Sequence, residues 1–152
     1  VTEADWDVVR NFLDAHTTLT LATVGEAGEP QAADLYYARL DDQAQLCFVS
    51  TRSSRHAANI ARNPRVAYTV HAVASRWRDI RGVQVEGVCA RLAGPAAARA
   101  WARYTARFPF VLTDALLGAA LAKVDIYAIT PRWLRWIDNS VRLGYQVDWR
   151  SL

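Results

Sequence analysis

The segment Ile80–Leu92, IRGVQVEGVCARL, alternates apolar and polar residues and reads as one long β-strand with Gly82 and Gly87 in its interior. Glycine inside a strand marks a bulge, a bend or the close approach of another group. A long strand that bends belongs to a curled sheet rather than a flat one. The other β segments are Thr18–Val24, Gln31–Leu40, Gln45–Ser50, Val66–Ala74, Lys123–Thr130 and Trp133–Ile137, with Pro131 expected to interrupt the last two. Short turns separate neighbours: Gly25–Pro30, Asp41–Ala44 and the basic loop Ser75–Asp79. In Gln31–Leu40, Ala33, Leu35 and Tyr37 share one face and Asp34 and Tyr36 the other. Antiparallel pairing follows, and closure into a barrel would remove the sheet's edges. The expected fold class is α+β.

Helices punctuate these strands. Thr2–Asp5 forms a capping-box pattern, and Trp6, Val9, Phe12 and Leu13 recur at helical spacing to about Ala15, with His16 at the end where a cation is favoured. Gly94–Pro95 opens a second helix to Arg107, with Trp101, Tyr104, Thr105 and Phe108 facing the core and Arg99, Arg103 and Arg107 forming an exposed ridge. A shorter helix is expected from Thr113, as N-cap, to Ala122.

The run Thr51–Arg62, TRSSRHAANIAR, follows the strand Leu46-Cys47-Phe48-Val49 and starts a further helix, capped by Ser53 or Ser54 and stopped by Asn63-Pro64. Ala57, Ile60 and Ala61 share its apolar face. Arg52, Arg55 and His56 crowd its positive end with no acid nearby in sequence, which the macrodipole disfavours by tenths of a kcal/mol each, up to about 1. An anion held by free N–H groups, serine hydroxyls and basic side chains reverses that sign. Two accounts fit these residues equally: a phosphate seat, or a capped helix with solvated arginines.

Composition narrows the function. With 152 residues, 52% hydrophobic and 22% charged, the chain is expected to be one globular domain over 1–152. A net charge of +3 is mild and unclustered, so no nucleic-acid partner is expected. Cys47 and Cys89 fall inside strands without a ligand pattern and read as reduced core residues. No apolar run reaches membrane-span length, and the acidic start is not a signal peptide, so the expected place is the cytoplasm without membrane attachment. There is no Ser/His/Asp set, paired-carboxylate motif, zinc spacing or glycine-rich nucleotide loop. His71 stands mid-strand without a ligand partner, so catalysis would be carried by a cofactor.

Three stretches carry a resemblance: TLATVGEAGEPQAADLYYARL, CFVSTRSSRHAANIARNPRVA and IRGVQVEG. In this order and spacing they resemble the pyridoxamine 5'-phosphate oxidase-like superfamily, the FMN-binding split barrels. SRHA at Ser54–Ala57, IRGVQ at Ile80–Gln84, the Ala106–Pro109 helix ending and the tail residues Asp138, Asn139, Gly144 and Trp149 are similar to its YhbP-like branch.

The resemblance implies an antiparallel six-stranded split barrel and a homodimer with FMN at two equivalent sites between subunits. By position, Ser50, Thr51, Ser54 and Arg55 match family residues that hold the phosphate, and His56 stands where the oxidases have lysine. Asp34, Leu35 and Tyr36 match the backbone edging the flavin ring, and Gln84 a position beside the cofactor. Trp136, Asn139 and Arg142 match the C-terminal segment that reaches the partner's site. Ala33 replaces an arginine anchor and Gly82 a glutamine, and the tail SVRLGYQVDW lacks the family's substrate-binding arginine and histidine, so vitamin-B6 synthesis is not expected. The resulting expectation is an FMN-dependent oxidoreductase acting on a small molecule. The alternatives are a haem- or deazaflavin-binding split barrel, with His71 or His16 as haem ligand, and a cofactor-free dimeric scaffold.

Overall fold

The computed structural model describes residues 2–40 and 43–150. Asp41 and Asp42, half of the expected turn 41–44, lie outside the described residues.

Eight strands form one antiparallel sheet: β1 (Thr18–Val24), β2 (Pro30–Tyr36), β3 (Ala38–Arg39), β4 (Leu46–Thr51), β5 (Arg65–His71), β6 (Arg81–Arg91), β7 (Val124–Asp138) and β8 (Gln146–Arg150). The order is β2-β1-β5-β6-β7-β4-β3, with β8 also on β7. β2 and β3 therefore lie at opposite edges, yet a single residue, Tyr37, separates them in the chain. That connection is possible only if the sheet curls until its two edges meet. The seam where they meet has no ladder, which makes the barrel split.

The eight strands differ at three places from the seven segments read along the sequence, and exceed the six that the resemblance implies. The expected strand Gln31–Leu40 divides at Tyr37, where the chain changes edges. The tail adds β8, from Gln146 to Arg150. Pro131 does not interrupt the sheet either. β7 runs through it in fifteen residues, pairing with β4 up to Ile129 and with β8 from Trp133. The proline falls between these two partners, at a bulge where Gly87 faces Pro131 and Glu86 faces Trp133.

The two glycines of β6 are explained by close approach. A Cβ on Gly82 would stand 2.4 Å from the Val70 carbonyl oxygen, and one on Gly87 2.4 Å from that of Thr130. No side chain fits at either place.

Inward residues of alternate register, including Leu19, Leu21, Tyr68, Val70, Val83, Val85, Leu46, Phe48, Ile129 and Leu134, fill the barrel. α1 (Glu3–Ala15), started by the Thr2–Asp5 capping box, plugs one end with Val9, Phe12 and Leu13. α2 (Arg55–Arg62) packs at the other with Ala57 and Ile60. Ala61, expected on this inner face, is exposed. Asn59 turns inward in its stead, because its amide donates to Thr23 Oγ1 and Gln31 Oε1.

α3 (Gly94–Arg107) covers the outside of β3 and β4 with Ala100, Tyr104 and Phe108, forming a second apolar cluster with Cys47 and Ile126. Arg107 does not belong to the exposed arginine ridge. Its guanidinium donates to the carbonyls of Leu13, Asp14 and His16, capping the C-terminus of α1. The expected helix from Thr113 is two short ones, α4 (Phe110–Thr113) and α5 (Ala115–Leu121). Asp114 is the N-cap of the second, accepting from the N–H groups of Leu116 and Leu117.

Cys47 and Cys89 are buried and free, and desolvation pushes their thiols up to about 11 and about 12. No helix among the described residues is long and apolar enough to cross a membrane.

Candidate functional site

The seam of the split barrel leads to the start of α2. β4 ends in Ser50 and Thr51, the chain turns through Arg52 and Ser53, and Ser54 caps the helix by accepting from Ala57 N–H at 3.1 Å. Behind this turn three side chains are joined. Ser50 Oγ lies 2.9 Å from Ser54 Oγ and 2.7 Å from His56 Nε2. Ser50 is buried and His56 half-buried, with the ring of Phe48 at 6.2 Å from the imidazole. Desolvation holds the His56 pKa below the ordinary histidine value, so the ring is neutral at pH 7.

Two carboxylates reach this turn from distant parts of the chain. Asp125 on β7 accepts from the Arg52 guanidinium and also lies 3.7 Å from Arg91. The Arg52 bond holds the Asp125 carboxyl below the usual carboxylate range. Glu29, in the β1–β2 turn, lies 4.0 Å from Arg55 Nη2. The absence of acids read from the local sequence therefore does not hold in three dimensions. Arg52 is claimed by Asp125, whereas Arg55 is 63% exposed with only a distant partner and remains available to a ligand. Neither Asp125 nor Glu29 carries a motif, and only the fold brings them here.

The three β2 residues line the opposite side of the seam. β2 is an edge strand, so alternate N–H and C=O groups facing the seam have no strand partner. Asp34 is exposed and accepts from Thr20 Oγ1 at 2.6 Å. Leu35 packs against the core. Tyr36 is 51% exposed, its ring 5.2 Å from that of Phe108 and 6.3 Å from that of Phe110. The α3–α4 junction thus supplies an aromatic wall beside β2, made by Phe108, which is buried as expected, and the exposed Phe110.

The remaining expected site residues lie elsewhere. Gln84 is exposed on the outer face of β6, within a polar row set by the register: Asp34, Thr20, Thr69, Gln84, Arg135 and Asp148. Trp136 is buried in the barrel and meets Phe12 edge-on at 4.9 Å. Asn139 donates to the Trp77 carbonyl and accepts from Gly144 N–H. Arg142 is exposed above the Tyr145 ring at 5.5 Å. Trp136 pairs with Val83, six positions along β6 from Cys89, which lines the cleft under α2. Strand rise makes that about 20 Å. Within one chain, the Ser50–His56 group and the Trp136–Arg142 group do not converge.

The donor set at α2 fits a phosphate: three hydroxyls, the exposed Arg55 guanidinium with its distant Glu29 partner, an imidazole and the N–H groups of a helix start. The seam edge of β2 offers backbone donors and acceptors suited to a planar polar ring. At Gly82, one of the two positions where the resemblance implies a lost anchor, the Val70 carbonyl leaves no room for a side chain. Among the described residues no His, Cys, Asp or Glu cluster could hold a metal ion.

The sequence profile of pyridoxamine 5'-phosphate oxidase matches residues 6–137. A UPF0306 protein of Klebsiella pneumoniae is 28% identical over 127 residues, covering 84% of this chain and 81% of that protein. Among solved structures, a heme binding protein from Mycobacterium smegmatis superposes with a TM-score of 0.80 at 18% identity, covering 99% of this chain and 60% of that longer one. A putative pyridoxamine 5'-phosphate oxidase from Listeria innocua superposes with a TM-score of 0.67 at 17% identity, covering 87% and 97% of the two chains. A curled antiparallel split barrel and a profile match across most of the chain agree, and the chain belongs to the pyridoxamine 5'-phosphate oxidase family, with UPF0306 proteins among its relatives.

Proposed function

We propose that this chain is an FMN-binding flavoprotein, an oxidoreductase that moves a hydride or electrons between a reduced nicotinamide and a small acceptor. The observation that carries the reading is the Ser50–Ser54–His56 cluster with the exposed Arg55 beside it, on the β4–α2 unit that packs beside β2. Ser50, Thr51, Ser54, Arg55 and His56 hold the phosphate, and Asp34, Leu35 and Tyr36 edge the ring. Bound flavin supplies the redox chemistry. The protein's residues bind, orient and shield it, and no side chain is assigned as acid or base.

The partner in this reading is a second copy of the chain. The outer polar row starts at the acid Asp34 and ends at the Arg135–Asp148 ion pair, beside a depression of about 490 Å³ that also holds Arg132, Arg150 and Glu86. A two-fold axis near Thr69 and Gln84 would lay Asp34 of one copy over the arginine-rich end of the other, where, outside the Arg135–Asp148 pair, Arg132 and Arg150 outnumber the acid Glu86. It would also carry Gln84 and Arg142 toward the partner's seam, whereas Trp136 and Asn139 are buried within their own chain. The free, buried cysteines fit a reducing compartment, which supports the cytoplasm.

An absorption spectrum before and after adding FMN and dialysing tests the reading. Retained flavin bands with quenched fluorescence are expected, together with a dimer by analytical ultracentrifugation. Arg55→Ala should weaken FMN binding by about 1–3 kcal/mol, the loss of a charged hydrogen bond. A colourless protein that releases FMN would overturn the reading. A Soret band would favour haem, the ligand named for the Mycobacterium smegmatis protein. Of the two histidines considered for that role, His71 is exposed on the outer face of β5, whereas His16 already engages the Phe12 carbonyl through Nδ1 at 2.7 Å.

A further inference from the structure

The hydroxyl hydrogens around Ser50 can be followed one by one. Ser54 Oγ accepts from Ala57 N–H, so its own hydrogen points to Ser50 or outward. The contact of 2.7 Å between Ser50 Oγ and His56 Nε2 admits either direction, and we assign neutral His56 the Nδ1–H tautomer, in which Nε2 accepts from Ser50. Ser50 then has only its lone pairs left, and Ser54 donates to it at 2.9 Å. In this state both hydroxyl hydrogens point inward and neither reaches an anion at the helix start.

Protonation of His56 reverses the chain. Nε2 becomes a donor to Ser50. Ser50 turns its hydrogen to Ser54 or to the Thr51 carbonyl at 3.3 Å, and the hydrogen of Ser54 is released outward. One proton thus adds a positive charge and a free hydroxyl donor to the same seat.

The groups around the imidazole leave this proton to the ligand. β4 presents Phe48 and Ser50, with Tyr127 of β7 stacked on Phe48. The helix start carries Ser54 as its cap and Arg55 as its first residue, with Arg52 in the turn before it. Asp125 and Glu29 are directed to Arg52 and Arg55, and among the described residues no carboxylate forms an ion pair with His56.

Resting on the flavoprotein reading, we propose that the Ser54–Ser50–His56 chain makes the phosphate seat proton-coupled, so that a phosphate monoester binds together with a proton on His56. His56 is the specificity-determining residue of the seat. It makes occupancy respond to pH near neutrality, which a permanently charged side chain at the same position would not do.

The test is a fluorescence titration of FMN from pH 5.5 to 8.5 with the unmodified protein, His56→Lys and His56→Gln. The phosphate of FMN itself titrates near about pH 6 in every case, so the difference between proteins isolates the histidine. The unmodified protein should gain affinity as pH falls from 8 toward 6.5, by up to about tenfold per unit for one coupled proton. His56→Lys should be flat over that range and tighter at pH 8, and His56→Gln flat and weak. On the unmodified protein, NMR of the His56 ring should show its titration moving upward when FMN is added. Parallel profiles, or an unmoved ring titration with FMN bound, would overturn the proton coupling and leave the flavin reading standing. Absence of FMN binding by all three proteins at every pH would overturn both.

Discussion

The Tyr37 hydroxyl donates to the Leu13 carbonyl oxygen at 2.6 Å, entirely inside the protein. Tyr37 is the single residue between the two edge strands, and Leu13 lies in the last turn of α1. One hydrogen bond therefore ties the closure of the barrel to the helix that plugs it. Tyr37→Phe should cost about 0.5–1.5 kcal/mol, read as a lower urea midpoint with an unchanged slope.

Arg107 holds the same turn from outside, donating to the carbonyls of Leu13, Asp14 and His16 and lying 5.6 Å from the Tyr37 ring. Arg107→Ala leaves half-buried carbonyls unpartnered and should destabilise by about 1–3 kcal/mol. Because both residues act on the end of α1, the double variant with Tyr37→Phe should deviate from additivity by at least about 0.5 kcal/mol. Strict additivity in denaturant melts would mean that the two bonds act independently.

Gly82→Ala and Gly87→Ala should each destabilise by about 1–3 kcal/mol, as overpacking does, since the new methyl meets backbone oxygen rather than a movable side chain. Thermal melts check this directly. A neutral result at either position would mean that the strands there separate without cost.

His56 also predicts a pH dependence of the free protein. Its folded pKa lies below the unfolded value of about 6.5, so the unfolded chain binds the extra proton first. The stability due to the neutral ring is complete above about pH 6.5 and is lost as pH falls toward the lowered folded value. His56→Gln should flatten that part of the stability profile in denaturant melts collected from pH 7.5 to 5. An identical profile in the variant would show that other groups set the acid limb.

Asn59→Leu should cost about 1–3 kcal/mol, because Thr23 and Gln31 at the α2 end of the barrel lose a buried donor. Chemical denaturation is the measurement. A more stable variant would show that the apolar gain outweighs the lost pair.

Much of this was legible in the chain because it is local. The Thr2–Asp5 capping box, the Ser54 cap, the alternation of β1 and β5 and the glycines of β6 depend on neighbours in sequence, and periodicity reports them directly. The order of motifs was enough to indicate the family. What periodicity cannot report is where the chain turns back on itself. The break at Tyr37 comes from the need to switch edges, and β7 runs through Pro131 because β4 leaves and β8 arrives around it.

Charge partners show the same limit. Arg107 looked like one more solvated arginine at four-residue spacing, and only the packing of α3 against α1 makes it a cap. The helix start at Ser54 looked free of acids, and only the pairing of β4 with β7 brings Asp125 to Arg52. By itself the sequence determined the local elements, the inward faces and the residue types gathered at the phosphate seat, since dihedral preference and side-chain period act within a few residues. The tertiary structure alone decided which edge strands meet, that Asp125 takes Arg52 and that Arg107 caps α1, since those depend on contacts between residues far apart in the chain.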